Sequence, residues 1–273
     1  RRQGRFEEGI DRLERTFELS PRWGQTPAHI GEFAQQIREY AKSTDFYDRA
    51  IAVSPDEDFS YLQKAYGLVL WKGDLEEAQR ITELAPSARA ENRMFVGNQS
   101  QLFLIARDFD AALDLLNRVP FESYDHQTVS IPRSLMLAET HQMKGDEEEA
   151  RAQYDLAKGV LEEALATRPH DYRLHASLGN ALAGLGRKEE AIAAGKKAIQ
   201  LMPVEKDAYI GPQYIFDLAR TYTLLGMPDE ALEQIDLLLS IPAKFSVELL
   251  KISPRWDSLR DHPRYQEILE NYS

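Results

Sequence analysis

The six histidines are the first candidates for chemistry, because imidazole binds metal ions and transfers protons near neutral pH. They are His29, His126, His141, His170, His175 and His262. A helical zinc site needs two histidines at i and i+4 together with a third ligand. His170 and His175 are five positions apart, across a predicted helix start. We therefore predict no metal site, and we interpret His141 as a helix-packing residue.

Carboxylates and a glycine-rich stretch are the other candidates for catalysis. The acidic runs at 147–149 and 189–190 follow predicted turns, where they complement the dipole of the next helix. Residues 179–186 contain three glycines, but Leu185 and Gly186 stand where a phosphate-binding loop needs Lys followed by Ser or Thr. No serine lies in a nucleophile-elbow motif. We predict no catalytic residue, no cofactor and no enzymatic activity.

The charge balance limits the classes of ligand. The chain has 33 Lys and Arg against 45 Asp and Glu, a formal net charge of −12. Because nucleic acids and anionic membranes attract basic surfaces, we expect this region to bind neither. The longest apolar runs are far shorter than the ~18 residues that a membrane span needs. The absence of cysteine fits a reducing cytoplasm, with a periplasmic location left open.

A recurring pattern of small residues indicates which elements hold the polar side chains. It is clearest between residues 172 and 205, where small, bulky and turn-forming positions follow one another as Gly179, Leu182, Gly186, Ala191, Ala198 and Pro203. The position of Ala191 recurs along the chain at intervals of 34 to 41 residues. Its seven occurrences are Gly9, Ser43, Ala78, Ala112, Ala150, Ala191 and Ala231. Such a period predicts stacked repeats of one structural unit.

This pattern resembles the tetratricopeptide repeat, a helix–turn–helix unit that stacks into a solenoid. The resemblance implies an all-α, right-handed superhelical solenoid of about six and a half repeats. It divides the single domain into a half repeat at 1–22, six repeats at 23–242 and a C-terminal helical cap at 243–273. It also implies close helix crossings at Gly179, Ala191 and Ala198. Gly195 stands where the family has a bulky residue, so we expect either a looser helix or a neighbouring side chain in the gap.

Proline and capping residues predict the helix boundaries, since proline ends a helix and restricts the residue before it. The predicted pairs are 26–40 with 44–53, 58–72 with 74–84, 90–106 with 108–118, 127–143 with 146–167, 171–184 with 187–201, and 211–224 with 228–240. The segments 121–127 and 205–212 are predicted as long loops. No alternating apolar run indicates a strand, so we expect no sheet.

The resemblance further implies a concave groove lined by the first helix of each pair. The repeat frame places eight polar residues there: Gln63, Gln101, Glu139, Gln142, Arg173, Asn180, Gln213 and Arg220. The two-carboxylate clamp of chaperone-binding relatives is incomplete, because Ala176 stands where that clamp has lysine. Arg173, Asn180 and Arg220 remain candidates for binding a carboxylate or an acidic side chain. A solvated inner face with no ligand is the alternative.

The first repeat lacks its first helix, so Phe6, Ile10, Leu13 and Phe17 form an apolar face in need of cover. We expect the chain to be a fragment of a longer protein. We also expect this edge to stay open or to pair with a second copy in a homodimer, unless residues 26–40 cover it completely.

The C-terminal stretch SPRWDSLRDHPRYQEIL lacks the repeat frame, and we predict that it caps the last repeat. It resembles the closing segment of bacterial proteins in which such arrays follow a winged-helix domain, a nucleotide cyclase or a kinase. Two functions follow: a non-catalytic scaffold that binds a protein or peptide on its concave face, and a regulatory or sensor domain of a bacterial signalling or transcriptional regulator.

Overall fold

The computed structural model describes residues 2–21, 23–86 and 91–272, and these fold into an all-α solenoid. A single helix, α1 (Phe6–Leu19), precedes six helix pairs. The pairs are α2 (Gln25–Gln36) with α3 (Tyr40–Val53), α4 (Asp58–Lys72) with α5 (Leu75–Glu83), α6 (Arg93–Ile105) with α7 (Phe109–Arg118), α8 (Arg133–Lys144) with α9 (Glu147–Thr167), α10 (Tyr172–Gly184) with α11 (Lys188–Leu201), and α12 (Gly211–Leu224) with α13 (Pro228–Ser240). The C-terminal segment forms α14 (Val247–Ile252), a 3-10 helix (Pro254–Leu259) and α15 (Pro263–Tyr272).

The turn inside each repeat supports the repeat frame. Seven described residues have a positive φ, and each lies five positions before the recurring small residue: Gly4, Arg38, Gly73, Arg107, Gly145, Gly186 and Gly226. Glycine adopts this left-handed conformation without a steric penalty, whereas arginine does not. The same backbone turn therefore forms throughout the array, with backbone strain at Arg38 and Arg107.

Close helix crossings follow from the small residues. Ala191 and Ala231 are fully buried. A Cβ atom on Gly179 would lie 3.1 Å from the backbone of both Ala191 and Gly195. A Cβ atom on Gly195 would lie 2.9 Å from Cδ1 of Leu218, so a neighbouring side chain fills the gap that this glycine leaves.

The fourth pair begins with a feature that the sequence analysis does not predict. Strands β1 (Ser123–Asp125) and β2 (Ser130–Pro132) form a two-stranded antiparallel hairpin, with Tyr124 opposite Ile131. The expectation of no sheet is therefore wrong at this one place, and α8 begins at Arg133 rather than at 127. The hairpin is short and mostly polar, so it has no alternating apolar pattern.

The apolar face of α1 is largely covered within the chain. Phe6 and Ile10 are buried in a cluster that includes Phe33 of α2 and residues 208–209, which precede α12. Leu13 and Phe17 are half-buried in the same cluster. The backbone amide of residue 208 donates to the carbonyl of residue 2 over 2.9 Å. This face is thus covered by α2, which corresponds to the predicted helix 26–40 of the alternative, and also by a late part of the array.

The first and last repeats are in contact, and the C-terminal segment joins them. Arg38, in the turn after α2, donates to the carbonyl oxygens of Leu238 (2.8 Å) and Phe245 (3.1 Å). Trp256 of the 3-10 helix is fully buried, with ring centroids 5.7 Å from Phe216 and 6.0 Å from Phe245. The segment therefore covers α13 as a cap and also crosses the inner side of the array.

Candidate functional site

The first helices of several repeats, the hairpin loop and the C-terminal segment enclose a cavity of about 220 Å³, the first inner cavity. Its walls combine amides with aromatic and thioether side chains, including Gln36, Gln63, Tyr66, Met94, Gln213 and Phe216. These residues come from α2, α4, α6 and α12. Such a mixture of apolar surface and a few polar groups is typical of ligand-binding pockets.

Two of the eight predicted groove residues, Gln63 and Gln213, lie in this cavity. The side-chain oxygen of Gln63 accepts a hydrogen bond from Lys244 Nζ over 2.8 Å. The amide nitrogen of Gln213 lies 3.3 Å from Asp217 Oδ2, to which it donates. Each amide is therefore held by a hydrogen bond to an ionisable side chain, which fixes its orientation toward the cavity.

Three more of the predicted residues, Glu139, Gln142 and Arg220, line a second inner cavity of about 390 Å³. The remaining wall comes from the turn at Arg107, the C-terminal part of α12 and the 3-10 helix. Helix α12 lines both cavities, with Gln213 and Phe216 at the first and Arg220 at the second. The sixth residue, Gln101, is half-buried on α6 and lines neither of them.

Arg173, Asn180 and Arg220 do come together, as the carboxylate hypothesis requires. They line one void, but its volume is about 10 Å³, which is room for a single water molecule. Each already has an intramolecular partner. Arg173 pairs with Asp171 at 2.7 Å, and Asn180 Oδ1 accepts from the hydroxyl of Thr221 at 3.1 Å. An acidic ligand at this place would have to displace these contacts.

Arg220 is the centre of a buried group of charges. Its guanidinium donates to Glu139 and lies 3.3 Å from Asp217 Oδ1. Arg255 lies 3.6 Å from the other oxygen of Glu139. Burial raises the pKa of Asp217 to about 7, against the opposing effect of its hydrogen bond from Gln213. Burial lowers the pKa of Arg220, and repulsion from the guanidinium of Arg255 lowers it further.

Lys244, Phe245 and Arg255 are not among the predicted inner residues, because residues 243–273 are predicted only as a cap. The structure places Lys244 and Phe245 at the first inner cavity and Arg255 at the second. One sequence signal was available. Arg38 and Arg107 occupy turn positions where most repeats have glycine, and both contact this segment.

The described residues contain no cluster of three or more potential metal-binding side chains. None of the helices in the described ranges combines the length and apolarity that crossing a bilayer requires. The carboxylates at 147–149 and 189–190 lie in the first turns of α9 and α11, as predicted.

Comparison with known proteins supports the repeat assignment. Residues 143–209 match the tetratricopeptide repeat family. A search of curated proteins finds no significant match. Among solved structures, a tetratricopeptide repeat protein from Parabacteroides merdae aligns with a TM-score of 0.53 and 11% identity, over 98% of this chain and 92% of that one. The human IFIT1 dimer with PPP-AAAA aligns with a TM-score of 0.53 and 14% identity, over 99% of this chain and 68% of that one.

These likenesses establish the fold of stacked tetratricopeptide-type helix pairs, which is a scaffold suited to protein–protein interaction. At such low identity they carry no residue-level information about a ligand. Proteins built from these repeats are generally non-catalytic.

Proposed function

We propose that the protein is a non-catalytic scaffold that binds a segment of another protein in the first inner cavity. The observation that supports this is the volume of the first inner cavity together with the apolar and amide side chains that line it. A cavity of about 220 Å³ exceeds the roughly 150 Å³ that holds a benzene molecule in an engineered protein core. It therefore has room for one large apolar or aromatic side chain, with Tyr66 and Phe216 as its contact surface.

The amides of Gln63 and Gln213 give the bound segment its orientation. A peptide backbone offers both donors and acceptors, and a primary amide satisfies either kind. Because each amide is already held by a side-chain hydrogen bond, little conformational entropy is lost when a ligand binds. The expected ligand is an extended segment with one apolar anchor, and its hydrogen bonds come from backbone groups beside the anchor.

The test begins with selection of binders from a displayed library of random peptides, followed by calorimetry. Met94→Trp places a large ring in the cavity and should weaken binding of the selected peptides at least tenfold. Leu237→Trp, at a 43% exposed position on α13, is the matched control and should leave affinity unchanged. Equal affinities for both variants, or a library that yields no binder, would overturn the proposal.

A regulatory role is the second candidate. It is favoured by the contacts that join the first and last repeats, because a ligand in the first inner cavity touches helices from both ends of the array. Hydrogen exchange with a selected peptide would test it. Protection that extends to α1 and α15 supports the role, and protection confined to the residues of the cavity argues against it.

A further inference from the structure

Arg255 is a buried arginine with too few hydrogen bonds. Its side chain is 6% exposed, and its Nε has no hydrogen-bond partner among the described residues. The ion pair with Glu139, at 3.6 Å, is longer than a hydrogen bond. A guanidinium carries five N–H donors, and a buried donor left unsatisfied costs about 1–3 kcal/mol or more. The site thus lacks an acceptor.

The surrounding charges do not neutralise Arg255. Glu139 is shared with Arg220, which contacts it more closely. Asp217 is the second carboxylate of the group, and burial raises its pKa to about 7, so it is only partly ionised at neutral pH. Asp257 pairs with Arg107 at 2.7 Å and with Arg260 at 2.8 Å, so its negative charge is already taken up by these two arginines. Two buried guanidinium groups therefore face less than two full negative charges.

The space beside Arg255 is large enough for a small molecule. The second inner cavity has a volume of about 390 Å³, within the range typical of small-molecule sites. Its wall carries the three arginines, the two carboxylates of Glu139 and Asp257, and the neutral polar side chains of Gln142 and Ser258. The side-chain oxygen of Gln142 accepts from the hydroxyl of Tyr154, which leaves its N–H₂ group as the donor for a ligand.

We propose that the second inner cavity binds a small oxyanion-bearing ligand, a carboxylate or a phosphate, through the guanidinium of Arg255. Charge-assisted hydrogen bonds from a planar guanidinium to such an anion are short and directional. A water molecule would satisfy a donor, but it would leave the excess positive charge in place. This site is separate from the first inner cavity and does not depend on peptide binding there.

The test measures binding of defined probes at constant ionic strength in sodium chloride: inorganic phosphate, succinate, and a tripeptide with either a free or an amidated C-terminus. The wild-type protein should bind at least one oxyanion probe, with an increase in melting temperature. Arg255→Met should weaken that binding at least tenfold. The matched control, Arg264→Met, removes an arginine at 37% exposure on α15 and should have no effect on binding.

The probes also separate two sources of the anion. Binding of phosphate or succinate indicates a free small molecule, whereas binding only of the free-acid tripeptide indicates a chain terminus. If Arg255→Met fails to fold, Gln142→Glu serves as the second variant, because it places a carboxylate at an exposed position on the cavity wall. The proposal is overturned if no probe binds the wild-type protein. It is also overturned if the cavity variants bind as tightly as Arg264→Met.

Discussion

Three of the glycines inside helices, Gly159, Gly179 and Gly195, differ in what surrounds them. Gly159 of α9 is exposed, and a Cβ atom there would meet nothing within 4 Å. At Gly195 of α11 a Cβ atom would lie 2.9 Å from the end of the Leu218 side chain and in ordinary contact, at 3.8 Å, with the Thr221 hydroxyl. At Gly179 of α10 it would meet the backbone of α11 at 3.1 Å. Replacement of each glycine by alanine therefore tests helix packing with one chemical change.

The helix propensity gain is common to all three variants, at about 0.8–1.0 kcal/mol. Gly159→Ala should show this gain alone. Gly179→Ala should also lose roughly 1–3 kcal/mol of unfolding free energy to overpacking, because the backbones of α10 and α11 cannot separate without disturbing their crossing. We expect it to be less stable than Gly159→Ala by that amount. Gly195→Ala should fall between them, since the end of a leucine side chain can rotate.

Urea unfolding, followed by circular dichroism, measures the differences. Gly159→Ala should raise the transition midpoint, and Gly179→Ala should lower it relative to Gly159→Ala at an unchanged slope. A repeat array need not unfold in one step, so each transition is compared with the corresponding wild-type transition. If Gly179→Ala and Gly159→Ala are equally stable, the close approach of α10 and α11 is wrong, and the repeat frame with it.

Two further predictions concern buried charge and contact between the ends of the array. Folding raises the pKa of the Asp217 carboxyl from 3.8 to about 7. Between these two values the folded protein retains a proton that the unfolded chain releases. The contribution of Asp217 to the free energy of unfolding is therefore lost as pH rises from 4 to 7. The free energy of unfolding of Asp217→Asn should therefore rise relative to that of the wild type by up to about 1.4 kcal/mol per pH unit over that window. Parallel profiles of unfolding free energy against pH for the two proteins would contradict this. Arg38→Gly relieves a positive φ but removes two hydrogen bonds to carbonyl oxygens, so its thermal midpoint should fall. Arg107→Gly relieves the same strain and loses only a half-exposed ion pair, so its midpoint should stay close to that of the wild type.

The repeats could be predicted because their signals are local. The predicted bounds of α4, α12 and α13 match the structure to within a residue or two, since turn glycines, prolines and small residues act within one helix pair. The hairpin could not be predicted, because its local signal is too short. Its strands are three residues long and Pro132 ends the second, so neither is long enough to show a periodic pattern.

The site was only partly predictable, because the concave face of a solenoid depends on how the whole array curls. Gln63 and Gln213 line the first inner cavity, and their role in binding stays a prediction. The repeat frame could not show that Glu139 and Arg220 form an ion pair with each other. Nor could it place Lys244 and Arg255 inside. These residues are placed there by contacts between distant parts of the chain, such as the hydrogen bond from Arg38 to the carbonyl oxygen of Phe245, about 200 positions away in sequence. Because every residue has a backbone carbonyl, the type of the accepting residue gives no signal of such a contact.

The two strained arginines each make a contact with the C-terminal segment. A left-handed conformation costs an L-residue roughly 1–2 kcal/mol, so a turn that tolerates arginine needs a compensating contact. Both exceptions supply one on the same segment: Arg38 binds backbone at residues 238 and 245, and Arg107 binds Asp257. These contacts join early turns of the array to the C-terminal segment. We expect them to preorganise the cavities between these elements, so that a ligand that fits binds without first having to close the array.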